Sequence, residues 1–332
     1  MKVLIIRFSS LGDIVLTSPI VRCLHLQLEA TVHFVTKKVF ADCVRFNPHI
    51  TQLFFLEDSM NQLIEELKKQ DYDIVIDLHK NIRSKKIIKA LGVKYYAYNK
   101  QSLERWMLVN LKRDFMKGTH VVDRYFTAVE SLDVTNDTQG LDFFIDPRAE
   151  NFLDTISKKD HRIHPASYIV IVAGTAHFTK TIPQEKILDI ISKVNYTVIL
   201  LGGPGELKVW KNINRAGTKN FVNLVGITSI SESAALIKNA LAVITPDTGM
   251  MHIAAALEKK ILVVLGSTTE ELGFMPYMPQ KPGRYTIVQD IVLKCRPCTK
   301  MGRSSCPKRH FKCMKNLKTE SIIEKLEYLI DI

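Results

Sequence analysis

A short, unbroken β-branched run that ends in a turn of small residues occurs twice in this chain, and a parallel α/β sheet is the architecture that accommodates it. KVLIIRF (2–8) runs into SSLGD, and YIVIVA (168–173) runs into GTAHFTK. Runs this short, without polar alternation, suit strands covered on both faces by helices. Behind the first run, a helix-period segment spans Ile14–Leu28. Strands at 31–36, 52–56 and 72–78 follow, separated by amphipathic stretches such as Met60–Lys69. Behind the second, the pattern reads helix 183–194, strand 196–201, helix 205–215, then strands near 221–225, 241–245 and 261–265. Repeated βαβ units of this kind predict two doubly wound, Rossmann-like sheets, and 332 residues suffice for two cores.

Between about 95 and 165 the periodicity weakens, punctuated by Trp106, Asp146-Pro147 and His164-Pro165. The expected domains are therefore 1–165 and 166–318. Beyond Gly266 the chain is irregular and rich in Met, Pro and Cys until a helix from Thr319 to Leu329, within 319–332, which is expected to pack back toward the first domain.

The formal net charge of +12 favours an anionic partner. It is concentrated in two acid-free runs, one from Lys80 through Arg83, Lys85, Lys86 and Lys89 to Lys94, the other from Lys294 to Lys318. Nucleic acid, anionic lipid headgroups and phosphorylated sugars all fit such runs, as does a solvated basic face. The N-terminus has no signal-peptide hydrophobic region, and no run approaches the roughly 18 apolar residues of a membrane span, so a cytoplasmic protein is expected.

Ligands of open α/β sheets bind beyond the carboxyl ends of the strands, so the strand-end turns hold the candidate chemistry. In RFSSLGDI (7–14), Gly12 allows close backbone approach, and Asp13 is either a helix N-cap or a catalytic carboxylate; the turn carries no dinucleotide or P-loop fingerprint. In the second half, Thr175 and Lys180 suit phosphate oxygens or belong to a surface loop. Glu206, after three glycines in four positions, is either a ribose or adenine contact or a first-turn acid favoured by the helix dipole. In TPDTGMMHIAAAL (245–257), Asp247, Thr248, Gly249 and His252 meet at a strand end and helix start, where free N–H groups can face a diphosphate.

The segments IIRFSSLGDIVLTSPIVRCL, DLHKNIRS, HVVDRY, PDTGMMHIAAAL and CPKRHFKCM occur in order along nearly the whole chain. With them the sequence resembles glycosyltransferase family 9, the ADP-heptose:lipopolysaccharide heptosyltransferases. The resemblance implies an α/β GT-B fold, two Rossmann-like domains with parallel sheets facing a central cleft. It also implies inverting, metal-independent transfer of a heptose from ADP-heptose to Kdo-lipid A or a heptosylated lipopolysaccharide core. By position, Asp13 resembles the acceptor-activating base and Gly12 the residue beside the donor diphosphate. Thr175 and Lys180 resemble the phosphate contacts, Glu206 the nucleoside contact, and Asp247, Thr248, Gly249 and His252 the segment holding heptose and diphosphate. Lys80, Arg83 and Arg124, in the second and third segments, are assigned to the acceptor. "TAHFTK" departs from the family's small-residue and aromatic pattern before the lysine. No cofactor and no nucleic acid is implied; a monomer touching the anionic inner face of the membrane is expected.

Cys295, Cys298, Cys306 and Cys313 follow C-x2-C-x7-C-x6-C, which opens with zinc-knuckle spacing but does not close with it. Packed free thiols are the alternative, and no metal ligand is assigned. An epimerase of the same architecture and a nucleic-acid-binding protein are the rival functions.

Overall fold

In the computed structural model, which describes residues 1–210, 213 and 220–332, the chain forms two compact units. One comprises Met1–Gln101 and Thr119–Phe144, the other Ser102–Gly118 and Ile145–Ile332. The sequence placed 145–165 and Trp106 in the first unit; both group with the second.

The first unit is a five-stranded sheet of β1 (Lys2–Ile6), β2 (Thr31–Thr36), β3 (Gln52–Phe55), β4 (Ile74–Asp77) and β5 (Lys94–Ala97). Its order is β3-β2-β1-β4-β5 and every pairing is parallel. Helices α1 (Leu11–Val15), α2 (Ser18–Leu28), α3 (Met60–Lys68) and α4 (Ile82–Leu91) make the crossovers. Leu63, Ile64 and Leu67 of α3 and Ile87 and Ile88 of α4 bury against Leu4, Ile6 and Val75, the every-second residues of one sheet face. Asn81 starts α4 by accepting the Ser84 N–H at 2.9 Å, and Gly92 ends it in the left-handed conformation at φ 68°.

Between the parts of the first unit, α5 (Ser102–Leu111) groups with the second. Helix α6 (Val121–Phe126) packs on α2 in the first unit. The second unit continues with α7 (Pro147–Lys159), β6 (Tyr168–Val172), α8 (Gln184–Lys193), β7 (Thr197–Leu201), α9 (Leu207–Trp210) and β8 (Phe221–Asn223). It is completed by α10 (Ile230–Asn239), β9 (Val243–Pro246), α11 (Gly249–Ala256), β10 (Ile261–Leu265), β11 (Tyr285–Gln289), α12 (Lys312–Lys315) and α13 (Thr319–Asp331). Its six strands run in the order β11-β10-β9-β6-β7-β8, all parallel. The expected helix 205–215 is seen as a 3-10 turn at Pro204–Glu206 followed by α9; beyond Trp210, apart from residue 213, its positions lie outside the described residues.

Contrary to expectation, α13 packs on β10, β11 and α8 of its own unit, with Ile322, Leu326 and Leu329 in the same core as Ile187, Ile190 and Ile191. Its apolar residues recur at i, i+4 and i+7, so one helix face is buried, and that face meets the nearest open sheet surface.

Candidate functional site

In both units the strand order reverses between the first and fourth strands, β1 and β4 in one and β6 and β9 in the other, and there the crossovers diverge to leave a crevice. The sequence places its unusual polar residues at those ends.

In the first unit, Ser10 is the N-cap of α1, and Asp13 occupies the third helical position rather than the cap itself. Asp13 Oδ2 accepts the Ser10 N–H at 3.2 Å and the Ser10 hydroxyl at 2.7 Å, while Oδ1 stands 2.8 Å from Nη2 of Arg7. Burial alone would raise the Asp13 pKa, but the Arg7 guanidinium and the Ser10 hydrogen bonds outweigh it and hold the carboxyl below the ordinary Asp value. Asp13 is thus a carboxylate at neutral pH. Gly12 is buried beside it.

Arg7, itself buried, donates through Nη1 to the Leu78 carbonyl and lies 5.8 Å from the Tyr125 ring centre. The adjoining loop is built by Asp77 at the end of β4, whose carboxylate accepts the N–H groups of His79 (3.0 Å) and Lys80 (2.7 Å) and the Ser84 hydroxyl (2.8 Å). His79 meets Phe8 edge-on at 4.9 Å. Burial, helped by Arg7, Lys100 and Lys37, pushes its imidazole down to about 4, so it is neutral at pH 7. Among the described residues its Nδ1 has no hydrogen-bond partner.

Of the cations assigned to an acceptor, Lys80 is exposed and donates to the Tyr98 carbonyl at 3.0 Å, and Arg83 is exposed near the start of α4. Arg124 is buried on α6 and, with Arg7 and Asp13, influences the Tyr125 phenol, whose pKa burial raises. Arg7, His79 and Tyr125 were not singled out from sequence. Arg7 was legible as a charge ending an otherwise apolar strand.

In the second unit, Lys180 ends a single 3-10 turn (Phe178–Lys180), and its ammonium is 2.9 Å from Oδ2 of Asp247, which also accepts the Thr268 hydroxyl at 2.9 Å. Thr248 is the N-cap of α11; its hydroxyl accepts the N–H groups of Met250 (3.0 Å) and Met251 (3.4 Å). Gly249 opens the helix, and His252 is buried on it. Lys180 is held by its neighbour Thr179, whose Oγ1 accepts the Ser267 hydroxyl and the Arg303 N–H, both at 2.9 Å.

Gly266 is required here, because a Cβ would stand 2.7 Å from the Thr179 carbonyl oxygen. Glu206 turns back to accept the Gly203 N–H at 2.8 Å, and its side chain lies so close to Gly174 that a Cβ there would be 2.2 Å from Cγ. Thr175 closes a local turn with the His177 N–H (3.0 Å) and carbonyl (2.6 Å). The structure thus joins Lys180, Asp247 and the start of α11 in one cluster, and engages Glu206 and Thr175 in their own loops.

All six cysteines are free thiols, and among the described residues no group of three or more His, Cys, Asp or Glu is arranged to hold a metal ion. Cys295 Sγ is 4.0 Å from His310 Nε2, while Cys313 is packed in the apolar core, where burial pushes its thiol up to about 12.

Two doubly wound parallel sheets with their polar residues gathered at the strand ends form the GT-B architecture of nucleotide-sugar transferases. A model of glycosyltransferase family 9 (heptosyltransferase) matches residues 60–308, and the chain belongs to that family. It is 25% identical over 289 residues to lipopolysaccharide heptosyltransferase 3 of Escherichia coli K12, covering 77% of this chain and 80% of that protein. Its fold is similar to that of a family 9 glycosyl transferase from Veillonella parvula (TM-score 0.79, 18% identity, 99% and 97% of the two chains). It is similar also to the ADP-heptose LPS heptosyltransferase II of E. coli (TM-score 0.77, 17% identity, 99% and 98%). The protein is a glycosyltransferase.

Proposed function

We propose that this glycosyltransferase moves a heptose, with inversion, from ADP-heptose onto the inner core of lipopolysaccharide. The observation that carries the reading is the Asp13 carboxylate, kept ionised by Arg7 and Ser10 at the carboxyl end of β1. In this reading Asp13 takes the proton of the acceptor hydroxyl as that oxygen attacks the anomeric carbon, and ADP departs from the opposite face. Lys180 and the first N–H groups of α11 at Gly249 stabilise the charge growing on the leaving diphosphate. Asp247 exchanges its Lys180 partner for sugar hydroxyls, His252 supports the turn from within α11, and Glu206, Thr175 and Gly12 contact the nucleotide.

Lys80, Arg83 and Arg124 supply positive charge for an acceptor carrying Kdo carboxylates and phosphates. The names of the relatives support the donor and acceptor classes: one is a lipopolysaccharide heptosyltransferase and another is named for ADP-heptose. Among the described residues no helix is long and apolar enough to cross a membrane. The enzyme works as a monomer in the cytoplasm, touching the anionic face of the inner membrane through its basic runs.

The test is thermal shift against ADP-, GDP-, UDP- and dTDP-sugars. A ligand at 100 times its Kd stabilises by about 2.7 kcal/mol, and only the ADP-sugar should do so. Stabilisation by a UDP- or GDP-sugar alone would replace the donor assignment.

A further inference from the structure

Helix α5 buries little of itself. Leu108, with Met116 beyond the helix, packs on Leu272 and Phe274, and the Arg105 guanidinium lies 5.7 Å from the Phe274 ring centre. At 3.6 residues per turn, Leu103, Trp106 and Asn110 fall within about 60° of one another on the side opposite Leu108. Leu103 and Trp106, with Leu111 at the helix end and Phe115 just beyond, are between 47% and 63% exposed.

The flank of this surface is fixed. The Lys112 ammonium donates to the carbonyls of Val109 (2.8 Å), Cys295 (3.2 Å) and Pro297 (2.5 Å), and Lys300 donates to the Ser102 carbonyl at 3.2 Å. These bonds hold the loop carrying Lys300 and the exposed Met301 at the ends of the helix. Arg105 within the helix, Lys112, Arg113 and Lys117 just beyond it, and Lys300 and Arg303 in that loop outnumber Glu104 and Asp114. A patch of large apolar side chains standing in water marks a surface that something apolar covers. The cationic fringe selects what covers it: a Leu, Trp and Phe face edged by Lys and Arg has the composition of a helix lying in an anionic lipid interface.

We propose that Leu103 and Trp106 on the exposed side of α5, with Leu111 at its end, Phe115 just beyond it and Met301 of the neighbouring loop, form an apolar surface that seats this protein in an anionic bilayer surface. The inference deepens the proposed function and rests on its lipid-linked acceptor. It replaces purely electrostatic contact through the basic runs with contact in which side chains enter the headgroup layer, so part of the binding survives high salt.

Trp106 is itself a reporter, since the other tryptophan, Trp210, is buried. The full chain and its Trp106→Phe variant are mixed with vesicles of phosphatidylglycerol and phosphatidylethanolamine in equal parts, and with phosphatidylcholine vesicles. The emission lost in Trp106→Phe should shift to the blue on the anionic vesicles and be quenched by lipids brominated on their acyl chains. A Leu103→Ser/Leu111→Ser/Phe115→Ser variant should bind these vesicles at least about tenfold more weakly, with its melting temperature and ADP affinity unchanged. Emission that neither shifts nor quenches would overturn the proposal, as would wild-type vesicle affinity in the triple variant. So would a triple variant that only loses self-association, which would assign the face to a second copy. ADP release from ADP-heptose with a water-soluble acceptor sugar, measured on the same preparations, tests the transfer reading apart from the helix.

Discussion

Arg7 and Asp13, six residues apart across the turn that ends β1, form an ion pair at 2.8 Å in which the arginine is buried and the aspartate remains partly open to solvent. The pair sets the charge of the only carboxylate in that turn. With Arg7 present, the Asp13 pKa lies below its ordinary value of 3.8, so its contribution to stability is complete above that pH and is lost only as the pH falls through the lower, folded-state value.

Removing Arg7 leaves burial as the dominant influence, and burial raises a carboxyl pKa. Arg7→Gln should therefore move the acidic limb of the kcat profile upward, whereas the wild-type profile should show no Asp13 ionisation between pH 5 and 8. A variant profile superimposable on wild type would separate Arg7 from the charge state of Asp13.

Lys180 is tied to Asp247 before any donor arrives. Lys180→Ala should weaken ADP binding by roughly 1.5–3 kcal/mol, the scale of a charge-assisted hydrogen bond. Asp247→Asn, which releases the lysine for phosphate, should leave ADP binding intact or tighter while weakening ADP-heptose. Calorimetry that finds equal ADP affinity in wild type and Lys180→Ala contradicts the phosphate role.

Gly266 lets the Thr179 carbonyl approach the end of β10, and that contact positions Lys180. Gly266→Ala must push on backbone rather than on a flexible side chain, so it should cost about 1–3 kcal/mol of stability and weaken ADP binding. Gly283→Ala meets no atom within 4 Å and should do neither. Identical melting temperatures for the two variants would show that the contact has no such consequence.

The interior strands and strand-end turns were legible because burial on both faces leaves an unmistakable apolar run, as in Tyr168–Val172. The edge strands β5 and β11 were not, since KYYA and YTIVQ are only partly covered and lack that run. Asp146-Pro147, read as a break, starts α7: Asp146 accepts the Arg148 N–H at 2.9 Å and Pro147 takes the first helical position. Helix α5 was hidden because Leu103 and Trp106 oppose Leu108, which erases the polar side that marks a surface helix. At the site, Asp13, Lys180 and Asp247 could be named from their turns. Of their partners, Arg7 was legible only as a charge ending an apolar strand, and Thr268 was not legible, because it comes from a loop that only the sheet brings near Asp247.

The central claim is that Asp13 removes the acceptor proton, and Asp13→Asn tests it most directly. Asparagine at this position can still accept from Ser10 but leaves Arg7 without its counter-charge, so the variant should be less stable by roughly 1–3 kcal/mol while still folding. Positioned general-base catalysis contributes about 10²- to 10⁴-fold, so kcat for heptose transfer should fall by that factor while ADP affinity, read on the second unit, stays at the wild-type value. A folded Asp13→Asn enzyme that retains more than about a tenth of the wild-type kcat would contradict the assignment and leave Asp13 as a capping residue.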